Sequence, residues 1–119
     1  MSDDPVALLR RYHAALGGYD ESRVRAMFAA DAVYDSPGVN GRIVGRDAII
    51  AAFSAYFAEH PDQHAIDEEV APLGPDTVRS IWKLIATARS TGKAVTRRGS
   101  ETVRFDGDGL IAHVEVTDA

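Results

Sequence analysis

The stretch that decides the fold is residues 77–116, which read TVRSIWKLIATARSTGKAVTRRGSETVRFDGDGLIAHVEV. Side chains alternate in its first part, which places Val78, Trp82 and Leu84 on one face of a strand. Turn signals follow at residues 90–93 and 106–109, so we expect strands over residues 77–89, 94–105 and 110–116. With a further strand over residues 64–73, the C-terminal half is predicted to be a four-stranded antiparallel meander.

Three helices are predicted ahead of this meander. Asp4 before Pro5 marks the start of the first helix, which two glycines end at residues 17–18. A short second helix begins at Asp20 and includes Met27 and Phe28, and the third runs from about residue 46 to the His-Pro pair at residues 60–61. One short strand over residues 32–34 and a loop over residues 38–45 lie between these two helices. This order predicts one α+β domain over residues 1–119, with three helices packed on a curved, mainly antiparallel sheet.

Composition excludes several classes of function. The chain has 119 residues, a net charge of −5 and no cysteine, so it has no disulfide, thiolate nucleophile or thiolate metal site. The acidic balance argues against nucleic-acid binding, and no apolar run reaches the ~20 residues of a membrane span. The four histidines lack the spacing of metal ligands. We therefore predict a cytoplasmic protein with no membrane segment, metal or cofactor.

Three motifs are similar to a known superfamily. They are RYHAAL at residues 11–16, MFAADAVYDSPG at residues 27–38 and VRFDGDGLI at residues 103–111. With the order of elements, they resemble the NTF2-like superfamily, which includes SnoaL-like polyketide cyclases, limonene epoxide hydrolases and ketosteroid isomerases. The resemblance covers essentially the whole chain. It implies a cystatin-like, helix-lined cone that encloses an apolar pocket.

The ketosteroid isomerases in this superfamily combine an Asp base with an oxyanion hole made of a Tyr and a protonated Asp. The resemblance implies that Tyr12 is the oxyanion Tyr and that Glu101 stands at the position of the protonated Asp. Counted without gaps from Tyr12, the base position falls on Ser36. Asp35 is one residue early, which in a strand means the opposite face. Either a local irregularity turns Asp35 inward as the base, or the chain lacks that base.

Glu101 is the most informative of these residues. It alternates with Val103 and Phe105, so we expect its carboxylate on the apolar inner face, where burial raises a carboxyl pKa and favours a hydrogen-bond donor or general acid. The alternative is a bulge at Gly99 that shifts the alternation and pairs Glu101 with a neighbouring arginine at position 97 or 98. Tyr12 also has an alternative, purely structural interpretation, as a core tyrosine whose hydroxyl is hydrogen bonded.

Further residues are predicted to line the pocket and to bind ligand. His13 follows Tyr12 but lies off the centre of the apolar stripe of the first helix, so we assign it no role. The predicted ligand-binding residues are Tyr34, Ser36, Phe53, Phe57, Trp82 and Val103.

The other face of the long strand mixes isoleucine with charge, at Arg79, Ile81, Lys83, Ile85 and Arg89. Such a mixture fits either a solvated face or a partly buried interface, and the resemblance favours a homodimer formed through the sheet. Two functions stay open. The first is a cofactor-independent, ketosteroid isomerase-like or polyketide cyclase-like enzyme acting on a small apolar steroid, terpene or polyketide. The second is a non-catalytic ligand-binding or dimerisation module.

Overall fold

The computed structural model describes residues 4–37 and 41–118. Within these residues the chain forms three helices and six strands in the order α1, α2, β1, β2, α3, β3, β4, β5, β6. The helices are α1 (Pro5–Gly17), α2 (Glu21–Ala26) and α3 (Arg46–Glu59). The strands are β1 (Phe28–Ser36), β2 (Gly41–Val44), β3 (His64–Pro72), β4 (Thr77–Thr87), β5 (Ala94–Phe105) and β6 (Ile111–Asp118).

Side-chain caps set the helix starts that the sequence predicts. Asp4 accepts a hydrogen bond from the backbone N–H of Val6 at 3.0 Å, and Asp20 accepts one from the N–H of Arg23 at 3.1 Å. Each bond satisfies a donor that the first helical turn leaves unpaired. The third helix follows Gly45, whose φ of +98° suits a residue without a side chain. The three predicted helices are confirmed.

All six strands of the described residues form one curved, open sheet in the order β2-β1-β6-β5-β4-β3. β1 runs parallel to β6, and every other neighbouring pair is antiparallel. The predicted meander is therefore confirmed as β3 to β6, and the mainly antiparallel α+β architecture is confirmed with it. The helices cover one face of this sheet and leave the other face bare.

Two details between α2 and α3 differ from the sequence prediction. Phe28 begins β1 rather than ending the second helix, because it pairs with Ile111 of β6 and its ring is buried in the core. A strand that was not predicted, β2, lies in the expected loop over residues 38–45 and pairs with the end of β1. Residues 38–40 of that loop lie outside the described residues.

The inner face of the sheet carries the core and the polar groups of the site. The buried side chains of β4 are Val78, Ser80, Trp82, Leu84 and Ala86, which confirms the predicted alternation. β4 and β5 pair without a register shift through Gly99, so the alternative with a bulge there is wrong. A bulge lies instead in β3, between Asp67 and Glu69. No helix among the described residues is long and apolar enough to cross a bilayer.

Candidate functional site

A cavity of about 450 Å³ lies between α1, α3 and the inner face of the sheet. Its volume falls in the range of small-molecule sites, which are mostly apolar with a few convergent polar groups. The apolar and aromatic part of the wall consists of Leu16, Tyr34, Phe53, Tyr56, Phe57, Trp82, Leu84 and Val116. The polar groups come mainly from α1, β3 and β5, so distant segments of the chain converge on this space.

A histidine held between two carboxylates forms the polar end of the cavity. His13 Nδ1 is 2.8 Å from both carboxylate oxygens of Asp67, and His13 Nε2 is 2.5 Å from Glu101 Oε1. Ser80 donates its hydroxyl proton to Asp67 Oδ1 at 2.6 Å. The side chains of His13, Asp67 and Glu101 all line the cavity. Below, these three residues are called the acid–base cluster.

Three elements bring the cluster together. His13 lies on α1 one turn after Leu9, on the side of the helix that faces the sheet. Glu101 lies on the inner face of β5 directly opposite Ser80 of β4. The bulge after Asp67 changes the register of β3, and bulges are known to re-aim side chains beside functional sites.

The cluster carries charge at neutral pH. Burial alone would lower the pKa of His13, but the negative charge of Glu101 and the hydrogen bonds to Asp67 and Glu101 outweigh it and raise the pKa to about 10. Burial would raise the pKa of Asp67, but the hydrogen bond and charge of His13 and the hydrogen bond from Ser80 lower it. His13 is therefore an imidazolium whose two N–H groups donate to two carboxylates.

Glu101 lies on the inner face of the sheet as predicted, with 6% of its surface exposed. Its surroundings are not purely apolar, however, because its carboxylate has a hydrogen-bond partner. His13 is its partner, and neither neighbouring arginine is: Arg97 instead donates to Tyr56 and Asp118. Only Oε1 of Glu101 is engaged by the described residues, which leaves Oε2 for a molecule in the cavity.

The other predicted site residues fall into two groups. Tyr34, Ser36, Phe53, Phe57 and Trp82 line the cavity, whereas Tyr12 and Val103 are fully buried and do not line it. Tyr34 and Ser36 hydrogen bond to each other at the β1 side. Burial and the charge of Glu101 raise the pKa of the Tyr34 phenol far above its usual value, so this hydroxyl stays neutral and can donate a hydrogen bond.

The structure corrects the assignment of Asp35 as a base. Strand alternation turns Ser36 into the cavity and Asp35 to the opposite face of the sheet. There Arg42 Nε donates to Asp35 Oδ1 at 2.8 Å, and His113 Nε2 lies 2.8 Å from Oδ2. The hydrogen bonds from Arg42 and His113 lower the pKa of Asp35 to about 2, so it is a weak base as well as a distant one. In the described part of the chain, the register of β1 is irregular only earlier, between Phe28 and Val33.

Tyr12 lies in the core beneath the cavity wall. Its ring packs edge to face on Phe28, with 5.6 Å between the centroids. Its buried hydroxyl has no hydrogen-bond partner among the described residues. Burial and the nearby charge of Glu101 raise its pKa well above the usual value. The structure therefore corrects the expectation that Tyr12 and Val103 touch ligand directly, since both are fully buried and neither lines the cavity.

Sequence reasoning missed His13 and Asp67. A signal for His13 was present, because Leu9, Tyr12, His13 and Leu16 have the spacing i, i+3, i+4 and i+7 of one helix face. Asp67 gave a weaker signal. The bulge that follows it interrupts the two-residue alternation of β3, so the pattern alone does not show which way its side chain points.

The fold is shared with solved structures that match almost the whole chain. RV0760c from Mycobacterium tuberculosis, in complex with estradiol-17β-hemisuccinate, has a TM-score of 0.84 at 23% identity, covering 96% of this chain and 93% of that one. A computationally designed 17-OHP binder has a TM-score of 0.84 at 22% identity, covering 97% and 93%. The Δ5-3-ketosteroid isomerase of a Mycobacterium species has a TM-score of 0.83 at 22% identity, also covering 97% and 93%.

These similarities confirm the predicted NTF2-like, ketosteroid isomerase-like fold, and at such identities they establish the fold alone. No curated protein sequence matches the chain. The model of one protein family does match, and it spans residues 9–114, from α1 to β6. The chain therefore belongs to the SnoaL-like domain family.

Proposed function

We propose that the chain is a cofactor-independent acid–base enzyme that moves a proton on a small apolar carbonyl compound, in the manner of a ketosteroid isomerase. The observation that carries the proposal is the acid–base cluster at one end of an otherwise apolar cavity. An apolar wall binds the body of such a ligand, and a carboxylate beside a cation provides the group that takes up and returns a proton.

Glu101 is the proposed proton carrier. Its Oε2 accepts a proton from the carbon next to the ligand carbonyl, which leaves an enolate, and the same carboxyl group then returns the proton to another carbon of the ligand. His13 holds Oε1 at 2.5 Å and so fixes the carboxylate in one orientation. Asp67 in turn fixes the imidazolium through Nδ1, and Ser80 fixes Asp67.

The enolate oxygen needs a hydrogen-bond donor, and Tyr34 is the proposed one. Its phenol is neutral, lies in the cavity wall and is paired with Ser36. β6 separates β1 from β5 in the sheet, and Tyr34 pairs with Val114 whereas Glu101 pairs with Val116. Roughly 12 Å therefore lies between the backbones of Tyr34 and Glu101. That gap can admit the reacting end of a ligand between donor and base. Preorganised donors of this kind are worth about 3–4 kcal/mol each in other enzymes.

Steroid-sized molecules are the proposed ligand class. RV0760c was solved with an estradiol derivative, and the designed protein binds 17-OHP, in both cases on this same fold. The cavity of about 450 Å³ and its aromatic wall suit a rigid, largely apolar body of that kind. Terpene- and polyketide-like compounds share this chemistry and belong to the same proposed class.

A second candidate function is a ligand-binding protein without catalysis. The observation in its favour is that a serine stands where the resemblance places the base, while Asp35 is ion-paired on the far face. Under this candidate the acid–base cluster contributes a polar anchor for the ligand and no proton transfer.

One assay separates the two candidates. The wild-type protein should convert a β,γ-unsaturated 3-ketosteroid to its conjugated isomer, which absorbs in the ultraviolet, and Glu101→Gln should lose at least a hundredfold in kcat. Glu21→Gln is the matched control, since Glu21 lies on the exposed start of α2. Binding is followed through Trp82, the single tryptophan, which lies in the cavity wall. Binding without turnover in the wild type supports the second candidate and contradicts the first.

We further propose that the chain forms a homodimer through the bare face of the sheet. Ile81, Lys83 and Ile85 lie on that face, and Ile85 is 42% exposed. Val44 and Ile66 add exposed apolar surface, at 64% and 45%. Interfaces commonly intersperse apolar and charged groups in this way. The cytoplasmic location stays a prediction of the sequence.

A further inference from the structure

The cavity wall contains a half-buried cation, Arg97, that the proposed chemistry does not use. Arg97 lies on the inner face of β5, four residues before Glu101 and opposite Leu84 of β4. At ~3.3 Å per residue, about 13 Å of strand separates the two positions. Arg97 therefore lies well away from the acid–base cluster, with apolar wall between them, whereas Arg10, the other arginine that lines the cavity, lies near Asp67.

Aromatic side chains fix the position of Arg97. Its guanidinium carbon lies 5.4 Å from the centre of the Trp82 ring and 6.0 Å from that of Tyr56. Arg97 Nη1 also donates to the Tyr56 hydroxyl at 3.1 Å. A guanidinium that already lies against two aromatic rings loses little freedom when a ligand arrives, which favours specific recognition.

Gly99 makes this arrangement possible. A Cβ at Gly99 would lie 2.9 Å from Trp82 Cζ2 and 2.2 Å from the backbone oxygen of Thr117. Only a residue without a side chain lets the indole lie against β5 at this point. The indole then covers the inner face between Arg97 and Glu101 and supports the guanidinium.

Arg97 keeps hydrogen-bonding capacity for a ligand. Among the described residues its partners are Tyr56 and Asp118, each through one N–H bond, and a guanidinium has five. The Asp118 side chain is 41% exposed, and an ion pair with so exposed a partner holds its cation weakly. A ligand carboxylate arriving from the cavity side can therefore bind the guanidinium, either beside Asp118 or in its place.

We propose that Arg97 is a specificity-determining residue, and that the preferred ligands of this cavity are elongated apolar carbonyl compounds with a carboxylate at the end opposite the reacting carbonyl. The inference rests on the proposed function and names the substrate class more narrowly. Arg97 acts through binding and touches none of the reacting atoms, so its removal changes the choice of ligand while the acid–base cluster is left in place.

The test compares 3-oxo-androst-4-ene-17β-carboxylic acid with its methyl ester, a pair that shares one ring system and one carbonyl. Dissociation constants are measured by quenching of Trp82 fluorescence at pH 7.5 and confirmed by calorimetry, because Trp82 itself contacts Arg97. We expect the wild type to bind the acid at least tenfold more tightly than the ester, as a charge-assisted hydrogen bond allows.

Two variants and one control complete the test. Arg97→Gln should bind both compounds with nearly equal affinity, and Arg98→Gln, which changes the exposed neighbour on the opposite face, should keep the full preference. Glu101→Gln should also keep the preference for the acid, since it alters only the acid–base cluster. This last variant separates recognition at Arg97 from catalysis.

Each result is decisive. Equal binding of acid and ester by the wild type overturns the inference while leaving the cavity as a binding site for neutral ligands. If Arg98→Gln loses the preference for the acid as fully as Arg97→Gln does, the inference is also wrong, because general surface charge then explains the effect. If neither compound binds to the wild type, both the inference and the proposed ligand class are wrong.

Discussion

His13 offers a prediction whose size follows from the structure. Its folded-state pKa of about 10 lies about 3.5 pH units above the ordinary value of 6.5, which at about 1.36 kcal/mol per unit corresponds to about 5 kcal/mol of folding stability. Because the folded pKa is raised, this contribution is complete below pH 6.5 and is lost progressively as the pH rises to about 10. At pH 7 about 4 kcal/mol should remain.

The perturbation is His13→Gln, which removes the cation from between two carboxylates and keeps a hydrogen-bonding side chain. We expect the variant to lose about 3–5 kcal/mol of unfolding free energy at pH 7, since a buried ion pair that has lost one partner leaves an uncompensated charge. The loss should shrink toward zero near pH 10.5, where wild-type His13 has itself given up its proton.

Urea unfolding measured from pH 6 to 10.5 is the assay, and His113→Gln is the matched control. His113 also contacts a carboxylate, but it lies on the open face of the sheet, where Arg42 continues to hold Asp35. The control should change stability by less than about 1 kcal/mol. Imidazole titration by NMR in the wild type gives a check that needs no variant. A His13 that titrates near 6.5, or a His13→Gln protein as stable as the wild type, would refute the reasoning.

Three more predictions follow from the geometry. Asp35→Asn should leave turnover unchanged and should lower the free energy of unfolding at pH 7. This loss should disappear as the pH falls to about 2, because the wild-type carboxylate is then protonated. A large fall in kcat would show instead that Asp35 belongs to the site. Gly99→Ala should lower the free energy of urea unfolding by roughly 1–3 kcal/mol, because its Cβ would lie 2.2 Å from the Thr117 carbonyl oxygen. It should also alter the fluorescence of Trp82, whose Cζ2 would lie 2.9 Å from that Cβ. Unchanged stability would mean that the backbone of β6 shifts at little energetic cost. Ile85→Glu should convert the proposed dimer to a monomer in light scattering without loss of fold, and a wild type that is already monomeric at high concentration would exclude the dimer.

Much of the fold could be predicted because it depends on local signals. The cap at Asp4, the His-Pro pair at residues 60–61 and the turns at residues 90–93 and 106–109 each act over a few residues. β2 was not predicted because a run of four residues that itself begins with a glycine carries almost no pattern of its own. It becomes a strand only by pairing with β1. Phe28 was assigned to the second helix because its partner, Ile111, lies far away in the sequence.

The site was only partly predictable for a related reason. Strand alternation correctly placed Glu101 and Ser36 on the inner face and Asp35 on the other face. It could not show that a histidine of α1 reaches Glu101 across 88 positions of sequence, or that a bulge follows Asp67. The resemblance to ketosteroid isomerases also drew attention to Tyr12, whereas the adjacent residue, His13, is the one that lines the cavity.

The most direct test of proton transfer at Glu101 needs no knowledge of the natural substrate. Androst-4-ene-3,17-dione is incubated with the protein in D2O, and deuterium incorporation next to its carbonyl groups is followed by mass spectrometry, with Trp82 quenching to confirm that the ligand is bound. The account predicts that the wild type accelerates exchange over buffer by at least a hundredfold, and that Glu101→Gln binds the ligand and does not accelerate exchange. Saturating binding with no acceleration in the wild type, or equal acceleration in Glu101→Gln, would contradict it.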